Sequence, residues 1–198
     1  MPPKAKFTKQ QIAEAGLAIV RRDGMEGVTA RAISVQLGSS ACPIFTVFEN
    51  MEEVHAEILR AARAVYAEYI RRGLAEPLAF RGVGMQYILF AIQEPKLFQL
   101  LFMTHPTFGP ENFQKQPDIG SVLPIIDDSY DAILRSVQEG YQLPLDKAEQ
   151  LYRHLWIYTH GIAVLCATNL CSFTQTEITA MMGEVFRGIL REIKEGMQ

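Results

Sequence analysis

The chain has 198 residues, of which 48% are hydrophobic and 21% charged, with a net charge of −3. That length holds one large helical domain, or a small domain joined to a larger one, around a sizeable core. The slightly acidic balance, with a pI of about 5.8, excludes any argument for a nucleic-acid partner from bulk charge alone.

Nearly all of the chain reads as helix, and alternation of the strand kind is missing. The first helix opens at Thr8, with Gln11 completing a capping box and Phe7 packing on Ile12 as a hydrophobic staple. Ile12, Ala15, Ile19 and Val20 form one apolar stripe. Gly24 is placed to end the helix in a left-handed cap. Thr29 caps a second helix, with Val28 and Ile33 as the staple pair. Ile33 and Leu37 face inward and Gly38 makes a tight turn. Ser40 caps a third helix whose first turn holds Pro43, where a missing N–H costs little. Ile44 and Phe48 lie one turn apart and face the core, which leaves Ala41, Cys42, Phe45 and Thr46 nearer the open side. Helix, glycine turn and helix make the build of a helix-turn-helix DNA reader. Residues 1–50 carry six basic and four acidic side chains, a net +2, so the rest must carry −5 to reach the total of −3. A mildly basic head on an acidic body suits a DNA-contacting end.

Asn50 and Glu53 form a further capping box and open a long helix to about Gly73, with a stripe of Val54, Ile58, Ala61, Val65 and Tyr69. The pattern predicts helices near 78–93, 95–104, 121–140, 145–170 and 175–195, with Pro77, Pro95 and Pro144 marking starts. A long loop is expected over 104–120. The fold class is therefore all-α, with a helix-turn-helix head over 1–50 and a larger body over 51–198. The two are joined through the long helix rather than a flexible linker.

The run 155–176 has no Asp, Glu, Lys or Arg. Its His160, Asn169, Ser172 and Gln175 make it a buried helix plus a loop rather than a membrane span. Cys42, Cys166 and Cys171 are odd in number and lack zinc-type spacing, as for reduced thiols in a cytosolic protein. The N-terminus lacks an apolar signal core. Cys42 reads as a small packing residue or as a redox switch on the open face. His154 and His160, six apart on one helix, point in different directions and make no metal pair. Asp127, Asp128 and Asp131 suit an exposed helix face or a cation. No Ser-His-Asp elbow, Gly-rich phosphate loop or carboxylate–histidine set stands in the chain, so the expectation is no enzyme and no cofactor.

Two readings of the aromatic cluster Tyr87, Phe90, Phe98, Phe102, Phe108, Phe113, Tyr130 and Trp156, with Met103, stand side by side. It lines a ligand cavity suited to an apolar, largely uncharged molecule, or it is ordinary core. Ile178, Met182, Val185, Ile189 and Ile193 likewise suit a four-helix dimer seam with Gly161, Ala163 and Ala167, or packing within one subunit.

The residues Phe7-Thr8, Gly24, the run from Gly27 to Ile33, Leu37-Gly38-Ser39-Ser40, Ile44-Phe45, Phe48, Asn50 and Glu52-Glu53-Val54 together resemble a TetR-type transcriptional regulator over about 50 residues. Tyr87, Phe90-Ala91, Pro95, Leu97-Phe98 and Leu101-Phe102 resemble the middle helices of the subgroup with a Trp-His-Gly C-terminal domain. Trp156 and His160-Gly161 resemble its name motif.

The resemblance implies an all-helical, cytoplasmic homodimer joined through the helices 145–170 and 175–195. Three small N-terminal helices would read a double-stranded DNA operator. The body would bind a small apolar or aromatic effector that releases the DNA. Two reading segments would then sit one DNA turn apart, roughly 34–36 Å, on a pseudo-palindrome. Arg31 would reach a base or phosphate, and Ala41, Cys42, Pro43 and Thr46 would face base edges. Thr29 and Phe45 would face the DNA backbone, with Ser40 and Met51 beside them. Lys6, with Lys4 and Lys9, reaches phosphate or belongs to a solvated tail. Tyr87, Phe90, Phe102, Met103, Tyr130, Trp156 and His160 would contact the effector.

Three positions depart from the family pattern. Phe45 stands where it usually has Tyr, Val47 where it often has His, and Met51 where it usually has Lys. The segment 40–48 also holds no Arg, Lys, Asn or Gln, so bidentate base pairing is replaced by apolar contact with thymine methyls. The alternative function is a helical binding or scaffold protein whose head has lost DNA affinity.

Overall fold

The computed structural model describes residues 6–39, 43–103, 119, 123 and 128–197. Among the described residues the regular structure is helical, as the all-α expectation requires. The α-helices are α1 (Lys9–Asp23), α2 (Ala30–Gln36), α3 (Met51–Leu74), α4 (Ala79–Gln93), α5 (Pro95–Phe102), α6 (Tyr130–Tyr141), α7 (Leu145–Ala167) and α8 (Gln175–Glu195). Short 3-10 helices stand at Met25–Gly27 and Pro43–Thr46. The expected helix 145–170 ends at Ala167 and that over 95–104 at Phe102, while the expected helix 121–140 is described as Tyr130–Tyr141 with most of 121–127 outside the described residues. The chain forms two compact units, Met1–Tyr66 with Lys96–Pro106, and Ala67–Pro95 with Thr107–Gln198.

In the first unit, the start of α1 is a closed capping box. Thr8 Oγ1 accepts from the Gln11 N–H and Gln11 Oε1 accepts from the Thr8 N–H. Gly24 donates to the Val20 carbonyl at 2.9 Å, but at φ 85 and ψ 177 it is extended rather than left-handed helical. The chain leaves α1 straight into the Met25–Gly27 turn, and that exit needs a backbone region open essentially to glycine alone. Thr29 caps α2 through the Ala32 N–H at 3.1 Å. The helix then closes in a Schellman motif, with Ser39 N–H on Ser34 O, Gly38 N–H on Val35 O, and Gly38 at φ 62.

Of the third α-helix expected over 40–48, the described residues form a single 3-10 turn, Pro43–Thr46. Ile44 O accepts both the Val47 N–H at 3.1 Å and the Phe48 N–H at 3.0 Å. Proline, β-branched and aromatic residues fill this stretch, and none favours helix propagation. The turn is held by burial of Ile44 and Phe48. Ser40, the expected cap, lies outside the described residues.

Asn50 Oδ1 accepts from the Glu53 N–H at 2.9 Å, as a cap of α3 should. The Glu53 carboxylate accepts from the Glu49 N–H rather than that of Asn50, so the box is shifted by one residue. The buried stripe of α3 is Val54, Ile58, Ala62, Tyr66, Tyr69 and Ile70. Ala61 and Val65, expected inside, are half-buried. Gly16 on α1 leaves room for Ile58, whose side chain would overlap any Cβ there. Phe102 of α5 meets Tyr66 edge-on, with centroids 5.0 Å apart.

In the second unit, α4 packs chiefly on α7, and α6 packs on both. The end of α3 crosses α4 at two glycines. A Cβ on Gly73 would lie 2.6 Å from the Val83 nitrogen and 2.7 Å from the Gly82 carbonyl carbon. Helix α8 opens on a second capping box, between Thr174 and Glu177. The charge-free run 155–176 divides among the end of α7, a turn and the start of α8. No helix among the described residues is long and apolar enough to cross a membrane.

Candidate functional site

Two groups of predicted site residues are built on different units. On the first, the pattern that buries Ile33, Ile44 and Phe48 leaves Arg31 and Thr46 exposed and Phe45 50% exposed. Thr29 is exposed, and its hydroxyl oxygen is already engaged as the α2 cap. The Lys6 ammonium lies 5.3 Å from the Phe7 ring centroid, and Lys9 lies 4.9 Å from that of Phe48. Such contacts are worth about 0.5–1 kcal/mol at exposed sites, and that of Lys9 places one cation beside Phe48. The sequence reading passed over Lys9 as a partner of Phe48, since their spacing carries no local signal. Met51 is half-buried at the first position of α3, whose first turn carries Glu52 and Glu53. Pro43 opens the short turn. Ala41 and Cys42, like Ser40, lie outside the described residues.

On the second unit, α4 and α7 bring Tyr87, Trp156 and His160 together. Trp156 and His160 are one turn apart on α7, and their rings stack with centroids 4.6 Å apart and planes 9° from parallel. The Tyr87 hydroxyl lies 2.9 Å from His160 Nδ1. Its ring stands at 58° to that of Trp156, with centroids 6.4 Å apart. Tyr87 is buried, whereas Trp156 and His160 are half-buried. Burial holds the imidazole below its ordinary value. A neutral ring leaves one nitrogen able to accept the tyrosine O–H, and protonation converts both into donors.

The stability consequence has a definite sign. A histidine whose folded pKa is depressed stabilises the fold fully above its unfolded value of 6.5, and that stabilisation is lost as the pH falls below it. The melting temperature is therefore expected to drop between pH 7 and pH 5, with a smaller drop in His160→Gln. Equal drops in both proteins would rule out His160 as the origin.

The other expected effector residues have contacts of their own. Tyr130 packs on Tyr152, with centroids 5.4 Å apart. Phe90 is fully buried and edge-on to Tyr69. Phe102 and Met103 belong to the first unit, where Phe102 packs on Tyr66 and Phe98. Phe108 and Phe113 lie outside the described residues. Tyr152 and Thr159 were missed by the sequence reading. Both are buried on α7, and Thr159 donates to Met182 Sδ of α8 at 3.4 Å. The one available signal for Tyr152 is its position four residues before Trp156 and eight before His160, and Thr159 stands off that spacing.

The outer face of α7 carries Ile157, 51% exposed, and exposed Gly161, with open space where a Cβ would stand. On α8, Ile178 and Ile193 are buried while Met182, Val185 and Ile189 are half-buried. Ala163 and Ala167 are buried. Asp128 and Asp131 are exposed, and no group of three His, Cys, Asp or Glu among the described residues is placed to hold a metal ion. Compared with protein-family models, curated proteins and solved structures, the chain matches none.

Proposed function

We propose that the chain is a ligand-responsive, DNA-binding transcriptional regulator, acting as a homodimer and most simply as a repressor. The observation that carries this reading is the arrangement of residues 29–39 and 43–50. A capped short helix, a glycine at positive φ, a tight turn and a second cap bury Ile33, Ile44 and Phe48 and present Arg31, Phe45 and Thr46 outward. These parts supply the first helix and the turn of a helix-turn-helix reader, with the single 3-10 turn Pro43–Thr46 standing where the reading helix would lie. The head is residues 1–50 and the body 51–198. The effector is a small apolar or aromatic molecule, and the support for it is the half-buried Trp156–His160 stack backed by Tyr87. Effector binding lowers operator affinity only by its differential affinity for the two states of the protein. The dimer joins outer faces of α7 and α8, where Ile157, Gly161, Val185 and Ile189 leave apolar surface open to a second copy.

A second reading, a helical binding protein without DNA affinity, is favoured by one feature. The first turn of α3 presents Glu52 and Glu53 and no cation beside Met51. Selection from random DNA by the purified protein separates the two readings. Enrichment of a palindrome supports the regulator, and no enrichment at low salt supports the second reading. Met51→Lys is expected to tighten non-specific DNA binding and to steepen log affinity against log salt by about 0.9 per protomer. An unchanged slope in a salt titration would remove Met51 from the DNA face.

A further inference from the structure

The end of α7 brings two cysteines five residues apart onto one turn. Leu170 N–H bonds Leu165 O at 3.0 Å and Asn169 N–H bonds Cys166 O at 3.0 Å, with Asn169 at φ 56. This is a Schellman motif, and the chain keeps curling beyond it. The Cys171 N–H also reaches Leu165 O, at 3.2 Å. From that contact and standard peptide dimensions, the Cα atoms of Cys166 and Cys171 lie at most about 7.5 Å apart, and closer for any ordinary hydrogen-bond angle. Disulfides span Cα separations of about 4.4–6.8 Å. Both thiols are free here, Cys166 buried and Cys171 exposed. The Cys166 thiol is pushed up by burial first and by nearby Cys171 second, so the two sulfurs sit within electrostatic reach.

The geometry points to a modification site at which Cys171 and Cys166 form a reversible intramolecular disulfide on exposure to a hydroperoxide. Exposed Cys171 is the one that meets the oxidant. Its thiolate attacks one peroxide oxygen, the O–O bond breaks, and a sulfenic acid forms as water leaves. The Cys166 sulfur then displaces that hydroxyl, the S–S bond forms, and the thiol proton departs with it as a second water. Two thiols lose two electrons, and one hydrogen peroxide becomes two waters. A dithiol reductant reverses the change. The site does not depend on DNA or effector binding.

The test is hydrogen peroxide treatment of the folded full chain, followed by acid quenching, alkylation and tryptic mass mapping. Both cysteines fall in the one peptide spanning 154–187, separate from Cys42. The expected product is that peptide lighter by two hydrogens, blocked to alkylation and restored by dithiothreitol. In Cys166→Ser the expected product is a trappable sulfenic acid on Cys171. In Cys171→Ser, Cys166 is expected to stay reduced. Equilibration with glutathione should give a disulfide at least tenfold more favoured in the folded chain than in urea, about 30 mV for this two-electron couple. Over-oxidation of Cys171 with Cys166 still alkylatable would overturn the proposal. So would equal equilibrium constants in folded and unfolded chains.

Discussion

Gly73→Val is expected to destabilise the protein by about 3 kcal/mol, at the upper end of what overpacking costs. The Cβ of any residue at 73 would press on backbone atoms of Gly82 and Val83, not on a side chain that can swing away. Relief therefore requires α3 and α4 to separate where they cross. The sign is diagnostic, because replacing a helical glycine ordinarily removes an entropic penalty. Gly140→Ala, on a helix position with open space around it, should raise stability by about 0.5 kcal/mol. Denaturant titrations of the parent and both variants make the measurement. A midpoint for Gly73→Val equal to the parent's would show that the two helices do not touch backbone to backbone there.

Ile157→Glu is expected to raise the dimer dissociation constant at least a hundredfold while leaving the fold of each chain intact. Ile157 is half exposed in the single chain, so a carboxylate there costs the fold no more than about 0.5 kcal/mol. At the centre of a seam with a second copy, the same carboxylate would be buried without a counter-charge, at about 3–5 kcal/mol. Sedimentation of the two proteins over a concentration series gives the constants. A monomeric parent, or a variant that sediments as the parent does, would move the seam off this face. On the proposed function, loss of operator binding should follow loss of the dimer, since one head alone would make half the contacts.

Local chemistry was the legible part of this chain. Thr8 with Gln11, and Thr29 with Ala32, close the caps their residue types predict, because a cap needs only neighbours in sequence. The apolar stripe of α1 is equally local. The stripe of α3 was less so. Ala61 with Val65 and Ala62 with Tyr66 both satisfy helical spacing after Ile58, and which pair turns inward depends on partners distant in sequence. The turn at 43–46 read as a longer helix because its burial pattern suits one, while its β-branched residues do not extend it. In the candidate effector site, Trp156 and His160 lie within a single helix and are legible as a motif, while their stacking is not. The bond from Tyr87 to His160 joins residues 73 apart and has no signature in sequence. Aromatic character alone groups Tyr130 with Trp156, and its packing on Tyr152 follows from where α6 meets α7.

The stack of Trp156 on His160 also equips the protein with its own optical probe. Trp156 is the sole tryptophan among 198 residues, so all indole emission comes from this one position. An imidazolium in van der Waals contact quenches an excited indole far more strongly than a neutral imidazole does. With the planes 9° from parallel, fluorescence intensity reports the protonation of His160 directly. A molecule that displaces or covers either ring changes the same signal. Effector candidates can therefore be screened by titration against unlabelled protein, with no DNA present.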